Sequence, residues 1–365
     1  MRRVVVVGAG PAGSAAAMTL AGTRGVEVLL VDRATFPRRK ACGSALSPWA
    51  LDLLDELGAG DLVRREAHVI RAALIGAGKL PVVELRGGEE AVVLLRARLD
   101  TLLAHEAARR GAELVEGVLV RELVRDGGRV VGVSTSEGEL EADAVIDASG
   151  ANTRLSREPA RPGRTLHAIM GWYAGMPCAP DTVELYFDPA VRPWYGWVFP
   201  ESPERVNVGI CYAPGADGQN ARERFAEFVE ARLADRVQRA EQLGDLVGHP
   251  IATTGRPTAL SQDGLLVAGE AGRLVDAATA EGIHHALASG LTAGALLADL
   301  AARGAEPTLV ELAPFTKLVR RRVGLRLRAG TILVGTLRTP ALDLALRLGS
   351  RRAVQRLLTR VLSAA

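Results

Sequence analysis

The sequence predicts an α/β fold: a Rossmann-like domain, an inserted mixed α+β lobe and a C-terminal helical tail. Three observations predict it. A β-branched run at residues 3–7 leads into Gly8-Ala9-Gly10-Pro11-Ala12-Gly13 and then the helix former SAAAMTLA. Residues 165–213 are rich in aromatic and β-forming side chains punctuated by Gly and Pro, as in a second sheet. From Lys317 to Arg360, about a dozen basic residues accompany a single acid, Asp343. The length of 365 residues suits two domains. A chain of this size buries enough surface to fold without disulfides or a metal. Apolar residues at 48% and charged residues at 24% exclude wholesale disorder.

The glycine turn opens the chain. Gly8 allows a tight turn after the strand, Gly10 lets backbone approach a pyrophosphate, and Gly13 lets helix and strand pack closely. The helix that starts at Pro11 and Ala12 presents unpaired N–H groups and a partial positive charge to phosphate. A second apolar run at 26–31 ends in Asp32, 19 residues after Gly13, where a carboxylate suits a ribose. Strand, turn, helix, strand and acid together indicate a dinucleotide site. The fingerprint occurs once, so a flavoprotein with a second nucleotide fold is not expected, and the pattern after Asp32 departs from regular strand–helix alternation.

Further along, a loop (RATFPRRKACGSALSP) leads to a helix predicted at 48–57, then strands near 69–75, 81–85 and 91–95. A helix at 99–110 precedes strands near 113–116, 129–135 and 144–148. A long helix is expected at 220–243, a strand at 264–268, and a Gly/Ala-rich turn and helix through residue 300. Residues 159–163 read as a lobe crossing. The basic C-terminal stretch lacks aromatic interleaving, so nucleic acid is not expected as a partner. Its leucines instead predict helices with one apolar and one basic face, docked on the protein body or touching an anionic membrane surface. Three separated cysteines, Cys42, Cys178 and Cys211, without a CxxC pair, argue against a disulfide scaffold or zinc ribbon. The N-terminus reads as a buried strand rather than a signal peptide, and no uncharged apolar stretch approaches ~20 residues, so the expected compartment is the cytoplasm.

Several segments resemble the geranylgeranyl reductase branch of FAD-dependent oxidoreductases with the p-hydroxybenzoate-hydroxylase-like fold. They are GAGPAG with Asp32 and Arg33, FPRRKACGSALSP, the segment headed by Arg96-Ala97-Arg98, VIDASGANTRLSR, GEAGRLVDAATAEGIHHALASG, and PWYGWVFP followed by Asn207-Val208-Gly209. The resemblance implies a discontinuous FAD-binding domain at 1–70, 95–158 and 255–305. It also implies a substrate lobe at 71–94 and 159–254, with a helical basic segment at 306–365. The FAD-contacting residues it implies are Gly8, Gly10, Pro11, Ala12, Gly13, Asp32, Arg33, Lys40, Cys42, Gly43, Arg96, Gly269, Glu270, Glu281, Gly282 and Ile283. Glu270 stands where the family has Asp, and would reach a ribityl chain; the helix opening at Glu281-Gly282-Ile283 would face the flavin ring. Arg273 and Ala280 replace family glycines, Ala277 a proline and Ser149 an aspartate.

Cys42 lies among Arg38, Arg39 and Lys40, where cations favour a thiolate. Beside the ring it would position substrate or supply a proton; otherwise it is a small packing residue. Tyr195, Trp197 and Phe199 alternate along a strand and share one face, which reads equally as lobe core or as the wall of an apolar channel. Cys42, Tyr195 and Trp197 are therefore the candidate catalytic residues, and no metal is expected. The adjacent His284 and His285 read as helix packing or, for His284, a proton source. The implied activity is hydride transfer from reduced FAD to a carbon–carbon double bond of an isoprenoid-like or other apolar substrate. Rival readings are a flavin monooxygenase acting on a small molecule or peptide side chain, and a non-catalytic FAD-binding or electron-carrier protein. NADPH, or a reductase or ferredoxin partner, would serve as transient donor.

Overall fold

The computed structural model describes residues 1–80, 82–156, 164–214 and 220–349. Arg157, the expected crossing at 159–163 and the basic residues beyond 349 lie outside these. The first sheet runs Ser261–Gln262, Leu265–Val267, Ala144–Asp147, Arg3–Val7, Glu27–Asp32, Glu113–Glu116, parallel except at the first pair. The continuous valines of Arg3–Val7 suit a central parallel strand buried on both faces. Val4 and Val6 face a helical layer that includes Pro11–Leu20, Arg96–Arg109 and Ile283–Ala302. Val5 and Val7 face the opposite side, where Val130 and Val133 of a three-stranded sheet cover them.

The second sheet is built mainly from Arg164–Ala174, Arg205–Tyr212, Gly196–Ser202, Thr182–Tyr186, His68–Gly76 and Val83–Val93. Its residues alternate by face. Val198 and Ile210 pack with Phe225 and Phe228 of the helix Ala221–Val237, whereas Trp197 and Cys211 face the other way. That second face looks toward the nucleotide-binding domain.

Local differences from the expectation have physical causes. The runs predicted near 81–85 and 91–95 are one strand, Val83–Val93, whose pairing with His68–Gly76 skips from Ala91 to Arg86 around a Gly-Gly pair. The helix expected at 220–243 ends at Val237, and Glu241–Gln242 instead adds an edge pair to Tyr173 and Ala174. Ala45–Leu46 and His68–Gly76 already belong to the second sheet.

One helix among the described residues, Ile283–Ala302, is long and apolar enough to cross a membrane by composition. It packs instead against Pro11–Leu20 at backbone distance. A Cβ on Gly290 would overlap the Ala12 carbonyl oxygen, and one on Gly294 would stand 2.7 Å from that of Ala16. This crossing brings the two helix N-termini to one end of the first sheet. The helix Pro314–Leu337 buries Phe315, Val319, Val323, Leu327, Val334 and Leu337, a 3.6-residue stripe. Its first half packs on the nucleotide-binding core and its last turns on the tryptophan face of the second sheet.

Candidate cofactor and substrate site

The site begins at the glycine turn. Gly8 has φ +98°, and a Cβ there would lie 2.6 Å from the Ala148 carbonyl oxygen. A Cβ on Gly13 would overlap the Gly8 carbonyl oxygen. Gly10 differs: a Cβ there would meet only Arg38 Nη2 at 3.6 Å and Arg96 Nη2 at 3.9 Å. Two guanidinium groups therefore converge on the open side of the turn, above the N-terminus of Pro11–Leu20. The buried carboxylate of Asp100 anchors both, accepting from Arg96 Nε at 2.7 Å and lying 3.0 Å from Arg38 Nη1. The buried Arg38 Nε has no hydrogen-bond partner. Such an orphaned cationic donor beside a helix N-terminus fits a pyrophosphate group.

Asp32 closes the turn from below. Its carboxylate accepts from the N–H of Ala9 and of Ala34, each at 2.9 Å, with lone pairs left over for a ribose hydroxyl. Its neighbour Arg33 is exposed.

Next stands a half-buried polar triad. Lys40 Nζ is 2.5 Å from His249 Nε2, and the Glu270 carboxylate lies 3.6 Å from His249 and 4.0 Å from Lys40. Burial lowers the Lys40 ammonium pKa, against the pull of Glu270. Burial alone would raise Glu270, but the His249 contact, the Lys40 charge and the N–H of Ala252 hold it below the usual carboxylate range. The expectation aimed Glu270 at a ribityl chain; here its carboxylate is shared with Ala252, His249 and Lys40.

The far end is a clamped loop. Asp276 Oδ1 accepts from the N–H of Ala278 and Thr279 and from the Thr279 hydroxyl. Trp194 Nε1 donates to the Ala277 carbonyl at 2.7 Å, and the Tyr195 hydroxyl donates to the Thr279 carbonyl. Arg273 and Ala280, both at family glycine positions, adopt φ +60° and +54°. Gly282 caps the helix Ile283–Ala302, whose first turn leaves N–H groups available at the crevice. Glu281 accepts from the Ser47 hydroxyl, while burial pushes its pKa up.

Cys42 and Gly43 meet this end from the opposite side. Asn207 Nδ2 donates to the Cys42 carbonyl at 3.4 Å, and Trp197 Nε1 donates to Asn207 Oδ1 at 2.6 Å. A Cβ on Gly43 would lie 3.0 Å from the Phe199 ring. The Cys42 thiol accepts from the Ser44 N–H at 3.3 Å and borders the Arg96 guanidinium. Phe187, Tyr195, Trp197 and Phe199 form a continuous aromatic row with centroids 5.8–6.2 Å apart. The face beside the Cys42 loop is thus aromatic, and the polar atoms of Tyr195 and Trp197 on it are already engaged.

The match to known proteins decides the family. Residues 1–313 match the FAD binding domain family. A menaquinone reductase from Mycolicibacterium smegmatis is 32% identical, over 84% of this chain and 80% of its own. The chain belongs to the geranylgeranyl reductase family of FAD-binding flavoproteins. A digeranylgeranylglycerophospholipid reductase from Methanopyrus kandleri is also 32% identical, over 80% of this chain and 79% of its own. Among solved structures, a geranylgeranyl bacteriochlorophyll reductase-like protein from Thermoplasma acidophilum superposes with TM-score 0.84 at 23% identity, covering 94% of this chain and 89% of the other. A flavin-dependent brominase superposes with TM-score 0.81 at 21% identity, covering 99% and 92%, which is likeness of fold.

This flavoprotein is an FAD-dependent oxidoreductase of the geranylgeranyl reductase and menaquinone reductase type. The Gly10 turn, Arg38 and Arg96 are the groups that would hold the pyrophosphate of FAD, and the Gly282 helix start would meet its ring. Sequence reasoning named Arg96 but not its partners. Arg38 was read only as a cation near Cys42 and Asp100 only as part of a motif, and His249 carried no local signal, because Lys40, which it meets most closely, lies 209 positions away in the chain.

Proposed function

We propose that this flavoprotein reduces carbon–carbon double bonds of an apolar, isoprenoid-like substrate. The carrying observation is the aromatic row Phe187, Tyr195, Trp197 and Phe199 facing the Cys42–Gly43 loop at the ring end of the crevice. The names of the relatives, which act on isoprenoid lipids or an isoprenoid quinone, support the same substrate class. Reduced FAD, when bound, supplies the hydride. Arg38 and Arg96 hold its phosphates, and the aromatic row excludes water and aligns an apolar chain. Cys42 delivers the proton to the neighbouring carbon. Tyr195 serves less well, because its hydroxyl is committed to the Thr279 carbonyl and burial raises its pKa well above the usual value. NADPH, or a reduced carrier protein such as a ferredoxin, donates electrons transiently.

Anaerobic mixing of the reduced holoenzyme with a polyprenyl diphosphate, a polyprenyl quinone and a prenylated glycerol lipid tests this reading by mass spectrometry. The expected product gains two hydrogens per double bond. A product that gains oxygen after aeration would assign a monooxygenase instead. Flavin that cycles between redox states with every substrate unchanged would assign an electron carrier.

A further inference from the structure

A second site lies outside the crevice. A cavity of about 210 Å³ opens between the helix Pro314–Leu337 and the segment after the strand Val247–Thr253. It is lined by Arg256, Pro257, Arg320, Gly324, Leu325 and Arg328. Arg320 Nε donates to the Pro257 carbonyl at 2.7 Å, which fixes the orientation of its guanidinium. No carboxylate pairs with Arg256, Arg320 or Arg328 among the described residues, whereas Arg322 on the same helix pairs with Glu56 at 2.9 Å. Three arginines that converge without a counter-charge form an anion site, and the guanidinium fork matches phosphate oxygens.

The surroundings identify the kind of phosphate. Lys317, Arg321, Leu325, Arg328 and Ile332 recur at helical spacing and are all exposed, so they share one outward stripe. Leu325 is 82% exposed and Ile332 is 72% exposed, unusual for large aliphatic side chains. Leu344 and Leu348, at 59% and 40%, extend the apolar surface onto the helix Ala341–Gly349. A soluble phosphate or nucleotide would use the arginines and leave the leucines and isoleucine unexplained. A bilayer uses both, since cations meet anionic headgroups while aliphatic side chains enter the acyl boundary.

We propose that the Arg256–Arg320–Arg328 pocket seats the phosphate of an anionic phospholipid and docks the enzyme on a membrane surface, with Leu325 and Ile332 inserted beside it. The same helix ends in Val334 and Leu337 against the aromatic face, so docking brings that face close to the lipid. The inference rests on residues outside the FAD crevice and holds whichever substrate is reduced.

The test is co-sedimentation of the full-length holoenzyme with vesicles of phosphatidylcholine alone or mixed with phosphatidylglycerol. Wild type is expected to partition onto the anionic vesicles, with about 10-fold or greater loss in the Arg256→Gln/Arg328→Gln variant. A similar loss is expected for Leu325→Ser/Ile332→Ser, with bound FAD and thermal midpoint unchanged in both. Unaltered partitioning of either pair would overturn the proposal. So would a wild type that ignores vesicles yet binds inorganic phosphate or pyrophosphate through the same arginines, which would mark a soluble-anion site. If the glutamine pair loses FAD, Arg256→Lys alone is measured. Lysine keeps the charge but not the fork, and an intermediate loss is expected; wild-type partitioning would count against the pocket.

Discussion

At the residue scale, the cofactor end depends on space and on two cations. Gly13→Ala forces a methyl group onto the Gly8 carbonyl, so the turn cannot close; the purified variant should lack flavin absorbance, and stoichiometric FAD would show that the turn yields. Arg38 makes a gentler case, because it would contribute a charge-assisted phosphate contact, and the Asp100 carboxylate it pairs with keeps Arg96 as a partner. Arg38→Ala should weaken FAD binding by roughly 10- to 100-fold, about 1.5–3 kcal/mol, in a fluorescence titration. Cys42→Ser keeps the loop, since the Asn207 contact to the Cys42 carbonyl is untouched and a hydroxyl oxygen can accept from the Ser44 N–H in place of the thiol. It should retain FAD and lose at least ~10-fold in turnover, ~1.4 kcal/mol of barrier. An unchanged rate would make the thiol a packing group and hand the proton to another donor.

At the element scale, the loop 276–280 and the helix that follows it carry the strain and the buried charge. Ala280 sits at φ +54°, a conformation that costs a non-glycine residue ~1–2 kcal/mol. Ala280→Gly relieves this at some entropic cost, and should raise denaturant stability by about 1 kcal/mol or less; no gain would mean that the Ala280 methyl contributes equivalent packing. One turn later, burial depresses His284 to about 3 and His285 to about 4, so both are neutral when folded. Their folded values lie below the unfolded 6.5, hence stability is complete above pH 6.5 and falls as acid is added through that value. Urea midpoints between pH 7 and 4 should show an uptake approaching two protons on unfolding, and His284→Gln/His285→Gln should flatten that limb. These elements also mark what the sequence made legible. The Rossmann strand, turn and helix were readable because their glycines and valines act locally. The clamp of Trp194 and Tyr195 on the loop was not, because it joins carbonyls to side chains about eighty residues away. Lys40 and Glu270 were readable singly, but not their meeting at His249, which lies 209 positions from Lys40. The strand Val83–Val93 was split in the reading by its Gly-Gly pair, which the pairing with His68–Gly76 skips and resumes on either side.

At the scale of the whole molecule, the question is whether the two sheets fold as one unit. The helix Pro314–Leu337 argues that they do, since Leu327 is buried in the nucleotide-binding core and Leu337 in the aromatic cluster of the second sheet. The Cys42 loop makes a second bridge through Asn207, and the Trp194 and Tyr195 hydrogen bonds make a third. Nature has also placed a separate probe in each lobe. Trp172 and Trp197 lie on the second sheet and Trp194 just before one of its strands, with only Trp49 elsewhere, whereas FAD would report on the glycine turn. Leu327→Ala and Leu337→Ala should each cost about 2–5 kcal/mol through the cavity left behind. If the bridges couple the lobes, each substitution lowers the midpoint seen by tryptophan emission and by flavin release together, in one transition. If Leu327→Ala moved only flavin release and Leu337→Ala only tryptophan emission, the lobes would be separate cooperative units joined by contacts too weak to transmit the loss.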